Sequence, residues 1–218
     1  MTAHDRARQE MVSRQLRARG IHDDRVLAAM ARVPREKFVA PGWESDAYTD
    51  QPLPIGGGQT ISQPYVVARM AELAEIQPDD HVLDVGVGSG YQTAIVAVLA
   101  GRVSGVEIRG ELAAEAEKRF AALGLSVAIR VGDGGYGWPE RAPFDAILVA
   151  AAATRVPAPL LAQLADGGRL VLPEGDSWRQ ELVRYRRRGD DFTREELGPV
   201  RFVAFMGDYG ERLAPDSN

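Results

Sequence analysis

The sequence predicts an α/β fold built on a mostly parallel sheet with helices on both faces. From residue 81 onward, short apolar runs bounded by glycine alternate with helical patterns, which is typical of parallel strands joined by covering helices. From residue 181 onward, strand-like runs follow one another without a helix between them, so antiparallel strands are expected to close one edge of the sheet. Two short helical patterns precede the first strand, which predicts a helical N-terminal extension.

The N-terminal extension is expected to hold two helices followed by an irregular segment. Residues 5–19 form a polar amphipathic pattern that ends at Gly20. A second helix is expected after Asp23 or Asp24, either of which can cap it. Residues 40–58 are rich in Gly, Pro and Asp and predict irregular structure.

The rest of the chain predicts four helices and eight strand-like runs. Apolar residues at helical spacing predict helices at residues 64–73, 91–100, 111–123 and 158–165. Continuous or alternating apolar runs predict strands at residues 81–86, 102–107, 126–131, 144–150, 168–173, 181–188, 191–197 and 200–206. The last three of these runs are the expected antiparallel strands.

Size and composition indicate one ordinary globular domain. A chain of 218 residues can build one sizeable core with small additions, and 45% hydrophobic with 26% charged residues is a common balance. We therefore expect a single domain over residues 1–218. Residues 1–60 would form the extension and a lid, and residues 61–218 the ligand-binding core with the C-terminal strands.

The composition also disfavours several classes of function. The 26 Lys and Arg against 31 Asp and Glu give a net charge of -5, which disfavours nucleic-acid binding. The chain has no cysteine, and its three histidines show no metal-ligand spacing, so no metal site is expected. No apolar run approaches the roughly 18–20 residues that cross a bilayer, and the charged N-terminus lacks the apolar centre of a signal peptide. A monomer in the cytoplasm, without a membrane partner, is expected.

The strongest motif is the segment "VLDVGVGSGYQTA", in which a strand runs through Gly86, Gly88 and Gly90 into a helix. Glycines at such a turn let a ligand approach the backbone closely. The spacing differs from the G-x-G-x-x-G of dinucleotide sites, and no lysine follows as in a P-loop. Glu107 ends the next strand, where a carboxylate can accept both hydroxyls of a ribose.

Two further carboxylates accompany this loop. Asp133 and Gly134 follow the third strand at the same sheet edge, where the carboxylate can accept from an amine such as that of adenine. Asp84, just before the loop, could either order the loop backbone or face a ligand ammonium through water. Ribose and adenine contacts without a strong phosphate site fit S-adenosylmethionine, a nucleoside that carries a sulfonium.

Several other segments complete the pattern. They are "VPREKFV", "LPIGGGQTISQPYVVARM", "GDGGYGW", "APFDAILVAAA", "GGRLVLP" and "VRFV". With the glycine loop, they make the chain resemble the protein-L-isoaspartate O-methyltransferases, the repair enzymes that methylate isoaspartyl residues in damaged proteins. The resemblance spans Val33 to Val203. Many methyltransferases share the glycine loop, whereas "QTISQPY" is specific to this family.

The resemblance implies a Rossmann-like methyltransferase core of seven strands, S-adenosylmethionine as cofactor, and a loop from Ile55 to Gln63 that closes over the active site. By the same match, Ser62 is the active-site serine and Thr60 sits beside it. Arg201 and Val203 belong to a segment that helps to hold the substrate. The cofactor-binding positions are expected at Asp84, Gly86, Gly88, Gly90, Glu107, Asp133 and Gly134.

The implied chemistry agrees with the residues present. A carboxylate with a pKa of about 4 is already an anionic nucleophile at neutral pH, so methyl transfer to it needs no general base. Alignment and exclusion of water suffice. The Ser62 hydroxyl can orient the acceptor carboxylate. Ser62 also precedes Pro64, so it is expected to cap the following helix as well.

Three other functions are alternatives to this one. Alanines at residues 150–153 and Gly58 depart from some family members, so a methyltransferase for another acceptor is an alternative. A nicotinamide-dependent oxidoreductase would use the glycine loop as a dinucleotide site, which its spacing disfavours. A non-catalytic nucleoside-binding module would bind without turnover. The expected partners are peptides and proteins that contain isoaspartyl residues.

Overall fold

The computed structural model describes residues 2–211. The predicted first helix is present as α1, Ala3–Glu10, which continues through a π-helical stretch, Met11–Leu16, and a 3-10 turn, Arg17–Arg19. Helix α2 covers Asp24–Arg32. Its cap is Asp23, whose side chain accepts a hydrogen bond from the backbone N–H of Arg25, so the choice between the two aspartates is settled.

The segment expected to be irregular up to residue 58 contains a β-hairpin. Strand β1, Leu53–Gly56, pairs antiparallel with β2, Gln59–Ile61. Gly57 and Gly58 form the tip with φ of +58° and +69°, a left-handed conformation that glycine adopts without steric cost. Strands of three and four residues are too short to show an alternating pattern in the sequence, which is why they were not predicted.

The core is a seven-stranded sheet, which is the number of strands that the resemblance implies. The strands are β3, His81–Val85; β4, Arg102–Glu107; β5, Ala128–Val131; β6, Phe144–Val149; β7, Leu164–Gly175; β8, Gln180–Arg188; and β9, Asp191–Pro199. Their order across the sheet is β5-β4-β3-β6-β7-β8-β9. Strands β3 to β7 pair in parallel, and β8 and β9 are added antiparallel. Successive strands are therefore added on one side of β3 as far as β5 and on the other side from β6 onward, and open α/β sheets bind ligands where the strand order reverses in this way.

Within residues 2–211, four helices accompany the sheet, and its central strands β3 and β6 are buried on both faces. They are α3, Pro64–Leu73; α4, Tyr91–Leu99; α5, Gly110–Leu123; and α6, Ala158–Ala162. On β3, Val82 packs into a cluster that includes Met30 of α2 and Ile95 of α4. Leu83 packs on the other side, in a cluster with Leu160 of α6. The N-terminal helices thus share one apolar cluster with the core.

The predicted strand at residues 200–206 is wrong. Within residues 2–211 this segment forms only isolated bridges, such as Ala152 with Ala204. Its backbone groups bond to the loop after β6, because Ala152 donates to Val203 O and accepts from Phe205 N, each at 2.8 Å. The segment therefore crosses the carboxyl end of β6 instead of pairing with β9. No helix within the described residues is long and apolar enough to span a membrane.

Candidate active site

A cavity lies at the carboxyl ends of β3, β4 and β6, and we call it the inner cavity. Its walls come from the β1–β2 hairpin, the glycine loop, the end of β4 and the segment that crosses β6. The lining includes Ile55 and residues 59–62, 85–89, 106–109, 150–151 and 203–206, together with Gln92 and Gly134. The position matches the ligand site expected where the strand order reverses.

The glycine loop forms the floor of this cavity and supports the hairpin. Gly88 faces the hairpin, because a side chain on it would meet Ile55 Cδ1 at 3.4 Å. Gly86 and Gly88 both line the cavity. Gly90 does not: it stands at the start of α4 with φ of +89°, and an added Cβ would meet the Phe120 ring at 2.8 Å. The structure therefore places Gly90 in helix packing.

Glu107 ends β4 with its side chain buried in the cavity wall. Its Oε2 accepts a hydrogen bond from Gly88 N at 2.8 Å, and its Oε1 accepts one from Arg109 N at 2.9 Å. These two bonds fix the carboxylate against the glycine loop. A carboxylate has about four acceptor sites, so Glu107 retains capacity for a ligand hydroxyl.

Asp84 is fully buried behind the loop and does not line the cavity. It accepts from Gln92 Nε2 at 2.7 Å and from Thr93 Oγ1 at 2.5 Å, so it holds the first turn of α4. Burial raises the pKa of Asp84 to about 6, although the hydrogen bonds from Thr93 and Gln92 act in the opposite direction and the charge of Glu107 adds to the rise.

Gln92 is a site residue that the sequence did not single out. It lines the inner cavity, and its Oε1 is buried without a hydrogen-bond partner among the described residues. Because its Nε2 is committed to Asp84, the amide presents an unused acceptor. Such an atom is costly to bury unless a donor meets it, which indicates a ligand donor at this point. Its place in the first turn of α4, eight residues after a buried carboxylate, was the only signal in the sequence.

Asp133 and Gly134 lie at the far end of the cavity. Asp133 accepts from Gly135 N and from Asp208 N, both at 2.8 Å, and so fixes the turn after β5 to the C-terminal segment. Gly134 lines the cavity, whereas Asp133 stands behind it. Gly134 also packs so closely on Val85 that a side chain there would clash.

A second depression, the outer groove, opens on the other side of the hairpin. It runs between the start of α3 and residues 197–203, and its volume is about 740 Å³. Four residues line both the groove and the inner cavity: Thr60, Ser62, Ala150 and Val203. We call these four residues the shared wall. Thr60 and Ser62 thus meet the C-terminal segment where the inner cavity adjoins the outer groove.

Ser62 is free to act at the shared wall. Its hydroxyl makes no hydrogen bond to another described residue, and the residue at the cap position of α3 is Gln63, which makes no side-chain cap. The expectation that Ser62 also caps this helix is therefore wrong. The first helical residue, Pro64, has no N–H to satisfy, which lessens the need for a cap.

Among the cations of the outer groove, Arg201 is available to a ligand. Arg19 pairs with Asp50 and lies 4.0 Å over the Tyr65 ring, and Arg69 pairs with Glu72 at 2.9 Å. Arg201 is exposed and makes no ion pair within residues 2–211. The groove therefore presents one unpaired positive charge close to Val203 of the shared wall.

Comparison with known proteins gives a consistent result. Residues 6–210 match the family model described as protein-L-isoaspartate(D-aspartate) O-methyltransferase (PCMT). The chain is 52% identical over 207 residues to a protein-L-isoaspartate O-methyltransferase of Methylorubrum populi, with 94% of this chain and 98% of that one covered. It is 51% identical over 204 residues to one of Methanoregula boonei, with 93% and 94% covered.

Solved structures are similar as well. One protein-L-isoaspartate O-methyltransferase superposes with a TM-score of 0.85 at 27% identity and covers 93% of this chain and 67% of its own. A Plasmodium falciparum structure of the same description, in complex with S-adenosyl-L-homocysteine, has a TM-score of 0.79 at 26% identity and covers 94% of this chain and 99% of its own.

Proposed function

The chain belongs to the protein-L-isoaspartate(D-aspartate) O-methyltransferase family, and from that premise we propose how its residues divide the work of the reaction. The enzyme transfers the methyl group of S-adenosyl-L-methionine to the free α-carboxyl of L-isoaspartyl residues in damaged peptides and proteins. This methylation starts the repair of those proteins.

The observation that carries the assignment is the shared wall. Methyl transfer requires the donor and the acceptor to occupy adjoining spaces, with the reacting atoms about 3–3.5 Å apart. The inner cavity and the outer groove adjoin at Thr60, Ser62, Ala150 and Val203. We assign the inner cavity to the cofactor and the outer groove to the isoaspartyl chain.

The inner cavity carries donors and acceptors that suit the cofactor. When bound, S-adenosylmethionine supplies an electrophilic methyl group on a sulfonium. Glu107 would accept from the ribose hydroxyls, and the unused Oε1 of Gln92 would accept from the methionine ammonium. Asp84 acts through Gln92, whose amide it holds in place. Gly86 and Gly88 allow close approach of the ligand to the backbone.

At the far end of the cavity, Gly134 packs its backbone onto Val85, and the adenine ring would lie against this wall. Asp133 already accepts two backbone N–H groups, so an adenine amine would be its third donor. Asp133 therefore has a mixed role in this proposal: it orders the turn, and it offers its remaining lone pairs to the base.

On the acceptor side, the chain needs only to orient an anion. The hydroxyls of Ser62 and Thr60 would donate to one oxygen of the isoaspartyl carboxylate and leave the other oxygen to attack. Arg201 would attract the negatively charged acceptor into the groove. The hairpin over the cavity would keep water out of the reaction, which strengthens these interactions.

The test is methyl transfer to a synthetic peptide that contains one L-isoaspartyl residue, run beside its normal aspartyl twin. We expect label in the isoaspartyl peptide and almost none in the twin. Equal labelling of both would contradict the acceptor assignment. Labelling of neither peptide, together with methylation of some other acceptor, would favour the alternative methyltransferase.

Monomeric state and cytoplasmic location belong to the proposal as well, as does the absence of nucleic-acid and membrane partners. The net charge of -5 supports the statement on nucleic acid, because phosphate contacts need a basic face. Light scattering coupled to size-exclusion chromatography would measure the mass of the particle. A particle of twice the chain mass would contradict the monomer.

A further inference from the structure

The turn between β7 and β8 presents a tryptophan to solvent. Trp178 is 90% exposed, whereas Trp43 is 37% exposed and Trp138 is half-buried under the Arg141 guanidinium. Indole rings are large apolar groups that proteins usually cover, and Trp is the residue most enriched at the energetic centres of interfaces. The exposed indole of Trp178 is therefore a candidate contact for a binding partner.

Hydrogen bonds fix the backbone of the turn that carries Trp178. Asp176 Oδ1 accepts from Trp178 N at 2.8 Å and from Arg179 N at 3.0 Å. Asp176 N in turn donates to Arg179 O at 3.1 Å. A carboxylate that satisfies two successive N–H groups fixes a tight turn. Trp178 thus projects from an ordered backbone, and a partner that covers it would lose little conformational entropy.

The turn adjoins the outer groove through a third depression, which we call the side pocket. Asp176, Ser177 and Gln180 line it on one side. Arg201 and Phe202 line it on the other side, and the same two residues also line the outer groove. The surface is therefore continuous from the shared wall, past Arg201, to the turn that carries Trp178.

The polarity of the side pocket suits a polypeptide backbone. It combines the cation of Arg201, the carboxylates of Asp176 and Glu211, and the amide of Gln180. The Asp176 carboxylate is already bonded to the turn, and Gln180 bonds to Phe202 through both of its amide atoms. No single charge dominates, so the pocket does not select a strongly acidic or basic ligand. A main chain carries both donors and acceptors at every residue and fits such a surface.

We propose that the side pocket and Trp178 extend the acceptor site, and that they bind a part of the same substrate polypeptide several residues away from its isoaspartyl residue. An apolar side chain of the substrate would cover the Trp178 indole. This inference rests on the proposed role of the outer groove. It makes the enzyme selective for extended or unfolded chains that reach across both depressions.

The first test compares acceptor peptides of two lengths. A short isoaspartyl peptide fills only the outer groove, and two longer peptides carry eight more residues, including one Phe, on either the N-terminal or the C-terminal side. Eight extended residues reach roughly 26–29 Å. We expect one longer peptide to have about tenfold higher kcat/KM than the short one, which corresponds to about 1.4 kcal/mol.

The variant Trp178→Ala should remove that gain and leave kcat/KM for the short peptide unchanged. The matched control Trp43→Ala, which also deletes a partly exposed indole, should keep the gain. Equal kcat/KM for all three peptides with the unaltered enzyme would overturn the inference, as would an equal loss for short and long peptides in Trp178→Ala. Failure to methylate even the short peptide would instead contradict the proposed function.

A second measurement uses Trp178 itself as the probe. The chain has three tryptophans, so replacing Trp43 and Trp138 by Phe leaves Trp178 as the only indole. Binding of the longer peptide in the presence of S-adenosyl-L-homocysteine should shift its emission to shorter wavelength and protect it from acrylamide quenching. The short peptide should do neither. An unchanged spectrum with a saturating long peptide would overturn the inference.

Discussion

Replacing Asp84 with asparagine should change how the stability of the enzyme depends on pH. The carboxylate is fully buried and bonded to Gln92 and Thr93. The asparagine side chain has the same size and keeps one carbonyl oxygen, while the Thr93 hydroxyl can turn to accept from the new amide. The variant therefore removes the ionisable group with little change in packing.

The raised pKa of Asp84 determines whether its carboxyl group stabilises or destabilises the fold as pH rises. Burial raises the pKa of Asp84 from its usual 3.8 to about 6. Between these two values the folded enzyme keeps the proton that the unfolded chain has released, so this group makes the fold less stable as pH rises. A shift of about two units corresponds to about 3 kcal/mol, lost progressively between pH 4 and pH 7. An asparagine at this position has no proton to lose in this range, so the variant escapes the loss.

The assay is urea unfolding of both proteins at pH 4, 5, 6 and 7. The free energy of unfolding of Asp84→Asn, relative to the unaltered enzyme, should rise by about 3 kcal/mol over this range. With a slope of roughly 2–3 kcal/mol/M, the unfolding midpoint should move by about 1–1.5 M relative to the unaltered enzyme.

The control is Asp176→Asn at the exposed turn. Backbone N–H groups of Arg179 and Trp178 lower the pKa of Asp176, so its stabilising effect is present at neutral pH and is lost as the pH falls. The usual pKa is 3.8, so this loss lies below pH 4, and the difference between Asp176→Asn and the unaltered enzyme should stay nearly constant from pH 4 to pH 7. A difference between Asp84→Asn and the unaltered enzyme that stays constant from pH 4 to pH 7 would refute the reasoning.

Three further predictions concern the cofactor cavity and the shared wall. Ser62→Ala should lower kcat by about 10–100-fold, because it removes a hydrogen bond to a charged group. Calorimetry should show unchanged affinity of this variant for S-adenosyl-L-homocysteine. A loss of that affinity would contradict the assignment of Ser62 to the acceptor side. Glu107→Ala should weaken the binding of S-adenosyl-L-homocysteine by at least about tenfold in the same titration. An unaltered affinity would contradict the assignment of Glu107 to the cofactor site. Gly90→Ala should reduce the free energy of unfolding by roughly 2–5 kcal/mol, because the new Cβ would overlap the Phe120 ring and residue 90 has a left-handed backbone conformation. An unchanged urea midpoint would contradict this prediction.

The sequence predicted the central part of the fold well. Strand β4 has the predicted bounds, and helix α3 does too. These elements combine a continuous apolar run or a clear helical period with a glycine or proline at one end, so local pattern and tertiary burial agree. The hairpin β1–β2 lacks such a pattern, and residues 200–206 have a strand-like pattern but bond to the loop after β6.

The candidate site was predictable where motif and geometry coincide. Gly86, Gly88 and Glu107 line the cavity that the sequence assigned to them. Asp133 is more occupied than expected, because its bond to Asp208 joins residues 75 positions apart and no local pattern announces it. Gln92 was missed because an amide in a helix looks the same in sequence whether its oxygen is used or free.

The hairpin has a kinetic consequence. Ile55 lies against Gly88 on the cavity wall, and the same hairpin carries Thr60 and Ser62 into the shared wall. Lifting the hairpin to exchange the cofactor would therefore also remove two of the four residues of the shared wall. The binding order should be compulsory, with the cofactor entering first and its spent form leaving last. Product-inhibition patterns would then show S-adenosyl-L-homocysteine competing with the methyl donor and not with the peptide.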